Sequence, residues 1–308
     1  MQLDPHTDIA SIAGTVATLR KTFNSRVTRP LAWRRQQLQN MINMLENNEA
    51  ELLEALKVDL GKPTAEGFIT DLAFVTGEIK LMLKNLNKWN SVEKVPTPLV
   101  AMPAKSVLMP EPLGVVCVIA PWNYPVQLLL VPAAGAIAAG NTVIMKPSEV
   151  SPTVSGVLAR LVPQYLDTTA VSLIEGGVPE TTELLAQKFD HIFYTGNGKI
   201  GRVVMAAAAV NLTPVTLELG GKSPVVVDAS ANIRVAARRV AWGKWLNAGQ
   251  TCIAPDYVMV DASVRDGFVD ELGKAITEFF GSDPKESESY GRIVSPNHFA
   301  RVSALMEG

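Results

Sequence analysis

The chain of 308 residues is 47% hydrophobic and carries 28 basic against 30 acidic residues, for a formal net charge of −2. This balance leaves no charge excess to attract nucleic acid or an anionic membrane surface, so we expect a small-molecule partner. Two cysteines and three scattered histidines, His6, His191 and His298, predict neither a disulfide framework nor a metal site. The opening residues lack the basic and apolar regions of a secretory signal. We therefore expect a reduced, metal-free, cytoplasmic protein of two domains or one large α/β unit.

The first third of the chain predicts helices. Residues 9–89 place apolar side chains three and four positions apart, with charged faces between them. Residues 95–112 are instead rich in proline and predict an extended, exposed arm or edge ribbon. We expect this arm to pair with another subunit, and a solvated loop is the alternative.

Residues 114–145 carry no charge and raise the question of a membrane segment. Prolines and asparagines divide this run into pieces shorter than the roughly 20 apolar residues that a membrane-spanning helix needs. Buried parallel strands, covered on both faces, explain it better. We therefore expect no membrane segment here.

From residue 113 onward, short apolar strands alternate with helical patterns. The predicted strands include LGVVCVIA, NTVIMKP, AVSLIEGG, DHIFYTG and TPVTLELGG. This alternation is typical of an α/β fold with a doubly wound parallel sheet. A second α/β stretch follows from about residue 223, with a strand, a helix, a loop containing Cys252, another strand and a final amphipathic helix.

Three glycines, Gly196, Gly198 and Gly201, match G-x-G-x-x-G between a predicted strand and a helix. Glycines in this position permit a tight turn and let a phosphate approach backbone N–H groups at the helix start. A purely structural turn is the alternative. By the general dinucleotide rule, an acid about 20 residues further on binds the adenosine ribose, and Glu218 lies 20 residues after Gly198.

Two other strand ends carry polar groups. In VIMKPSE, Lys146 and Glu149 could hold the two hydroxyls of a ribose, or Glu149 could simply cap a helix. In APWNYP, Asn123 lies between two prolines in a rigid turn, where its amide could stabilise an oxyanion or merely satisfy local backbone groups.

The two cysteines differ in context. Cys117 lies inside an apolar strand and is predicted to be part of the core. Cys252 lies in the polar loop NAGQTCIAPDYV, where a thiol is accessible and backbone N–H groups can stabilise a thiolate. Cys252 is the candidate nucleophile.

Five motifs occur in the order PWNYP, MKPSE, TGNGKIG, LELGGKSP and GQTC. With this set the chain resembles the NAD(P)-dependent aldehyde dehydrogenase superfamily. The segments GGVPETTELL, FDHIFYTG and GQTCIAPDYV are most similar to the class 3 fatty and aromatic enzymes and to bacterial coniferyl aldehyde dehydrogenases. The resemblance covers essentially the whole chain. It implies a Rossmann-like NAD(P)-binding domain at residues 1–220, a catalytic domain at 221–308 and a homodimer joined through 95–112.

The resemblance also implies a reaction, in which an aldehyde is oxidised to a carboxylate with NAD, or alternatively NADP, through a cysteine hemithioacetal and a thioester. Cys252 would be the nucleophile, Asn123 an oxyanion donor and Glu218 the base that activates water. We expect partial burial to raise the pKa of Glu218, with an ion pair to Lys222 as the alternative. The cofactor contacts implied are Lys146 and Glu149 at the adenosine ribose, Gly196 and Gly201 at the pyrophosphate turn, and Trp122, Asn197 and Leu219.

The chain departs from the family in two respects. The family usually has Ser-Thr where this chain has Asn197 and Gly198, so the match to G-x-G-x-x-G is partly accidental. The family also continues beyond Gly308 with a Glu in an E-I-F-G-P run, so the resemblance implies an N-terminal fragment with an incomplete catalytic domain. A cofactor-binding but catalytically idle module, and a cysteine acyltransferase or hydrolase without cofactor, are the alternative functions.

Overall fold

The computed structural model describes residues 7–307, so His6 lies outside the described residues. The predicted helical region is confirmed. Its helices are α1 (Ile9–Asn24), α2 (Leu31–Asn47), α3 (Glu49–Leu60), α4 (Thr64–Gly67) and α5 (Phe74–Trp89). A π-helical segment, Phe68–Ala73, connects α4 to α5.

The proline-rich stretch forms an exposed ribbon, as predicted. Its strands β1 (Glu93–Val95) and β2 (Ser106–Leu108) pair in antiparallel fashion. Between them, Leu99 and Val100 are 91% and 95% exposed. The tip of the ribbon therefore presents apolar side chains to solvent.

A parallel sheet of five strands lies at the centre of the chain. The strands are β3 (Val115–Ile119), β4 (Thr142–Lys146), β5 (Val171–Leu173), β6 (His191–Thr195) and β7 (Val215–Glu218). The helices that connect them are α6 (Gln127–Ala138), α7 (Pro152–Tyr165), α8 (Val178–Ala186) and α9 (Gly198–Val210). The spatial order β5-β4-β3-β6-β7 means that the chain builds outward from β3 in one direction and then in the other. The predicted doubly wound α/β sheet is confirmed.

Both faces of this sheet are covered, because successive side chains of a strand point to opposite faces. Val116 and Val118 of β3 pack into a core with α2, α3, α5, α6 and α7. Val115, Cys117 and Ile119 pack into a second core with α1, α8 and α9. This double burial explains the uncharged run at 114–145, which forms β3, α6 and most of β4. Within residues 7–307, no helix is both long and apolar enough to cross a bilayer.

The last part of the chain forms a smaller α/β unit. Its elements are β8 (Ser223–Val227), α10 (Ile233–Trp245), β9 (Pro255–Val260), α11 (Arg265–Phe280) and α12 (Pro296–Ala304). β8 and β9 pair in parallel, and Val227, Ala237, Val240 and Phe268 form a third core. Cys252 lies in the connection between α10 and β9.

Candidate active site

The sheet topology brings four of the motifs to one edge. The strand order reverses between β3 and β6, and ligands of open α/β sheets bind at the carboxyl ends of the strands beside such a point. PWNYP follows β3, MKPSE contains the end of β4, TGNGKIG follows β6, and LELGG contains the end of β7. The cysteine loop comes to the same edge through its contacts with PWNYP.

The cysteine loop presents its thiol outward. Asn247 and Ala248 adopt left-handed backbone conformations, with φ of +54° and +53°, and turn the chain sharply after α10. Cys252 is exposed, whereas Cys117 is fully buried in β3. Burial also raises the pKa of the Cys117 thiol far above its usual range. Of these two thiols, only that of Cys252 is accessible to a reactant.

The predicted oxyanion donor lies against this loop. The Asn123 amide nitrogen donates to the carbonyl of Gln250, at 2.8 Å. In return, the side-chain amide of Asn247 donates to the backbone carbonyl of Asn123, at 2.7 Å. The next residues of each segment also meet, since the Tyr124 hydroxyl lies 2.5 Å from the Thr251 hydroxyl. Because an amide nitrogen carries two hydrogens, Asn123 keeps one donor that the bond to Gln250 does not use.

Glu218 reaches the same region through the glycines that follow it. Gly221 packs so closely on the backbone carbonyl of Cys252 that a Cβ there would overlap it. The carboxylate of Glu218 is exposed, so the expected partial burial is wrong for this chain. The reason is that β7 is an edge strand and its carboxyl end opens to solvent. The alternative pairing with Lys222 is also wrong, because Lys222 forms its ion pair with Asp256, at 3.2 Å.

Lys146 and Glu149 form an ion pair, with Nζ and Oε2 2.7 Å apart. The Lys146 side chain is only 5% exposed, whereas that of Glu149 is 47% exposed. The interpretation of Glu149 as a helix cap is wrong. The first amides of α7, those of Thr153 and Val154, donate instead to the carboxylate of Asp59 in α3, at 3.2 and 2.9 Å.

The glycine motif has the strand, turn and helix that a phosphate-binding turn requires. The Gly196 amide donates to the Glu218 carbonyl at 2.9 Å, which ties the ends of β6 and β7 together. Asn197 caps α9 by accepting the Ile200 amide at 3.0 Å. Gly201 lets α9 approach Leu219, whose side chain would lie 3.1 Å from an added Cβ. The turn and its helix are therefore held closely against the end of β7.

Trp122 lies in the turn that follows β3, and its ring meets the His298 ring of α12 edge to face, with centroids 4.8 Å apart. Trp122 is half-buried. The last described helix thus also contacts the candidate site.

Three ionisable residues, Lys62, Glu66 and Asp71, lie behind the site and were not predicted from the sequence. Lys62 donates to the backbone carbonyl of Asn123 at 3.0 Å. The Glu66 carboxylate accepts a hydrogen bond from the backbone N–H of Asn247 at 2.8 Å. These residues lie in the helical first third of the chain, 61 positions before Asn123 in the case of Lys62. No local pattern in the sequence connects them to the cysteine loop.

Comparison with known proteins identifies the family of this chain. The model of the aldehyde dehydrogenase family matches residues 5–308. The chain is 47% identical to the dog protein "Aldehyde dehydrogenase, dimeric NADP-preferring", over 97% of this chain and 66% of the relative. It is also 47% identical to "Aldehyde dehydrogenase family 3 member H1" of Arabidopsis thaliana, over 97% of this chain and 62% of the relative. The solved structure "Substrate bound state of Staphylococcus Aureus AldH" superimposes with a TM-score of 0.92 at 43% identity, covering 96% of this chain and 65% of that one.

The fold and the site thus define a nucleotide-binding type of α/β protein with an accessible thiol beside the binding edge. The chain belongs to the aldehyde dehydrogenase family. It spans slightly less than two thirds of the length of these relatives, at 66% and 62%.

Proposed function

We propose that this chain provides the cofactor site and the nucleophile of an NAD(P)-dependent aldehyde dehydrogenase that converts an aldehyde to a carboxylate. The observation that carries the proposal is the hydrogen bond between the Asn123 amide and the loop of the exposed Cys252, at the carboxyl edge of the parallel sheet. We place the boundary between the cofactor domain and the catalytic domain after residue 220. The first two cores lie before this boundary and the third lies after it.

The residues at the sheet edge fit a dinucleotide. Lys146 and Glu149 present a donor and an acceptor at the end of β4, which suits the hydroxyls of the adenosine ribose. Gly196, Asn197 and Gly201 form the turn into α9, where helix N–H groups and the helix dipole favour a pyrophosphate. Trp122 and Leu219, which flank this edge, would provide apolar contacts. NAD(P)⁺, when bound, would supply the oxidising chemistry as a hydride acceptor.

The chain's own residues perform the remaining chemistry. The Cys252 thiolate adds to the aldehyde carbon, and the carbonyl oxygen becomes an oxyanion. The free N–H of the Asn123 amide and the backbone N–H of Cys252 donate to this oxygen, which stabilises the developing charge. After oxidation, the substrate is held as a thioester on Sγ. Glu218 takes a proton from water, whose oxygen attacks the thioester carbon, so that the carboxylate leaves and the thiolate is regenerated.

Two roles for Glu218 compete, because its position also fits the general rule for a ribose ligand. We favour the base, since Gly221, three residues later, touches the backbone of Cys252 and the Lys146 and Glu149 pair is available for the ribose. Glu218→Gln should keep NAD⁺ affinity and the first burst of NADH but stall thioester hydrolysis. A roughly tenfold loss of NAD⁺ affinity, about 1.4 kcal/mol, with normal hydrolysis would instead support the ribose role.

The overall proposal is tested by the absorbance of reduced nicotinamide with an aldehyde and NAD⁺. Activity should disappear in Cys252→Ala and stay within a few-fold in Cys117→Ala, the matched control. NAD⁺ binding without any turnover would favour the cofactor-binding but idle module. Ester cleavage by Cys252 with no cofactor binding would favour an acyltransferase or hydrolase.

We further propose that the ribbon at 95–112 joins two copies of the protein. Leu99 and Val100 expose apolar surface at its tip, which is costly unless a partner covers it. A relative's name contains the word "dimeric", in agreement with this arrangement. Replacement of Val100 by Lys should shift the molar mass in light scattering from dimer to monomer, and an unchanged mass would contradict the proposal.

A further inference from the structure

Three ionisable side chains, Lys62, Glu66 and Asp71, lie directly behind the turn that carries Asn123, and we call them the Lys62 cluster. Lys62 and Asp71 are fully buried, with Nζ and Oδ2 2.7 Å apart. A buried ion pair loses the hydration of both charges, and apolar residues of similar size often stabilise a fold equally well. Stability alone therefore gives little reason for this pair.

The contacts of the pair lead to the candidate site. The Lys62 ammonium donates to the backbone carbonyl of Asn123 at 3.0 Å and lies 4.0 Å from the ring centroid of Tyr124. The other carboxylate oxygen of Asp71 accepts the amides of Val126 and Gln127, at 3.2 and 3.3 Å. The pair thus holds the middle of the turn that joins β3 to α6, at Asn123, and its end at the start of α6.

Glu66 holds the other side of the site. Its carboxylate accepts the backbone N–H of Asn247 at 2.8 Å, where the cysteine loop takes its left-handed turn. The Asn247 side chain then donates to the same Asn123 carbonyl that Lys62 binds. Burial raises the pKa of Glu66, and the Lys62 charge and the Asn247 N–H oppose this rise. The turn and the cysteine loop are therefore joined through one cluster.

We propose that Lys62, Glu66 and Asp71 are positioning residues that set the Asn123 amide against the loop of Cys252. This inference rests on the proposed function, in which Asn123 donates to an oxyanion formed on the carbon that Cys252 attacks. The cluster acts through the backbones of Asn123 and Asn247. An oxyanion donor is effective only when it is preorganised, and two donors on the Asn123 carbonyl restrict the backbone from which its side chain extends.

Two reactions of the 308-residue chain separate positioning from general stability, and neither needs a cofactor. With p-nitrophenyl acetate, Cys252 Sγ attacks the ester carbon through a tetrahedral oxyanion, p-nitrophenolate leaves, and the acetyl thioester remains. With iodoacetamide, Sγ displaces iodide at a saturated carbon and no oxyanion forms. The ratio of the acylation rate to the alkylation rate therefore reports the oxyanion donor, and unfolding in urea reports stability.

The informative variant is the double replacement Lys62→Met with Asp71→Asn, which removes both buried charges and keeps an acceptor for the α6 amides. Lys62→Met alone leaves a buried carboxylate unpaired and should be less stable. The double variant should regain the stability of the unsubstituted chain. Its acylation-to-alkylation ratio should nevertheless stay at least about tenfold lower than that of the unsubstituted chain, a smaller loss than the 10²–10³-fold expected when a donor is removed completely. Glu66→Gln, which keeps an acceptor for Asn247, should hold the ratio within about twofold of the unsubstituted chain, and Glu66→Ala should lower it.

An unchanged ratio in the double variant, with Cys252 acylated normally in the unsubstituted chain, would overturn the positioning role and leave the proposed function intact. Equal losses in Glu66→Gln and Glu66→Ala would also count against it. No acylation of Cys252 in the unsubstituted chain would overturn both the positioning role and the proposed nucleophile.

Discussion

Gly221 is the position where a single added carbon should damage the candidate site most directly. A Cβ there would lie 2.4 Å from the carbonyl oxygen of Cys252, whereas ordinary contacts begin at 3.4 Å. The cysteine loop would have to retreat by about 1 Å, a misplacement that can cost about 10²-fold in rate. Overpacking of this kind also destabilises a fold by about 1–3 kcal/mol. We therefore expect Gly221→Ala to reduce acylation of Cys252 by p-nitrophenyl acetate by about 10²-fold.

Gly220 provides a matched control next to it. A Cβ at Gly220 would meet nothing within 4 Å. Gly220→Ala should therefore keep the acylation rate and, by restricting the unfolded chain, stabilise the fold by about 0.4–1 kcal/mol. Burst kinetics with p-nitrophenyl acetate and urea unfolding of both variants test this. Equal rates in Gly220→Ala and Gly221→Ala would refute the argument from close approach.

Three further predictions concern α7, β6 and cofactor choice. Asp59→Ala should lower the free energy of unfolding by about 1 kcal/mol in urea titrations, because the first amides of α7 lose their acceptor. The control Glu54→Ala, which changes an exposed residue of α3, the helix that contains Asp59, should have a smaller effect. Burial lowers the pKa of His191, so the neutral ring is favoured in the folded state. Stability should be full above pH about 6.5 and fall as the pH drops below it, and this slope should be shallower in His191→Gln. Glu149→Gln should raise kcat/KM for NADP⁺ relative to NAD⁺, because a carboxylate repels a 2′-phosphate; an unchanged ratio would place Glu149 away from the ribose.

The sequence by itself determined the elements and the candidate residues that depend on local pattern. Short apolar runs predicted the strands and spacings of three to four residues predicted the helices, because a strand buried on both faces is apolar throughout and a helix buried on one face is apolar at that spacing. The same reasoning separated Cys117, inside an apolar strand, from Cys252, in a polar loop, and the structure confirms their burial and exposure. The sequence also placed polar groups, among them Lys146 and Glu149, at the ends of predicted strands.

Only the tertiary structure decided the contacts between distant segments. The cap of α7 comes from Asp59, 94 positions before Thr153, and the support of Asn123 comes from Lys62, 61 positions away. The exposure of Glu218 follows from the place of β7 at the edge of the sheet. Local pattern encodes which side chains are buried and which backbone conformations are allowed. The partner that a buried charge or an open helix end finds depends instead on how helices pack against the sheet, which no single stretch of the sequence specifies.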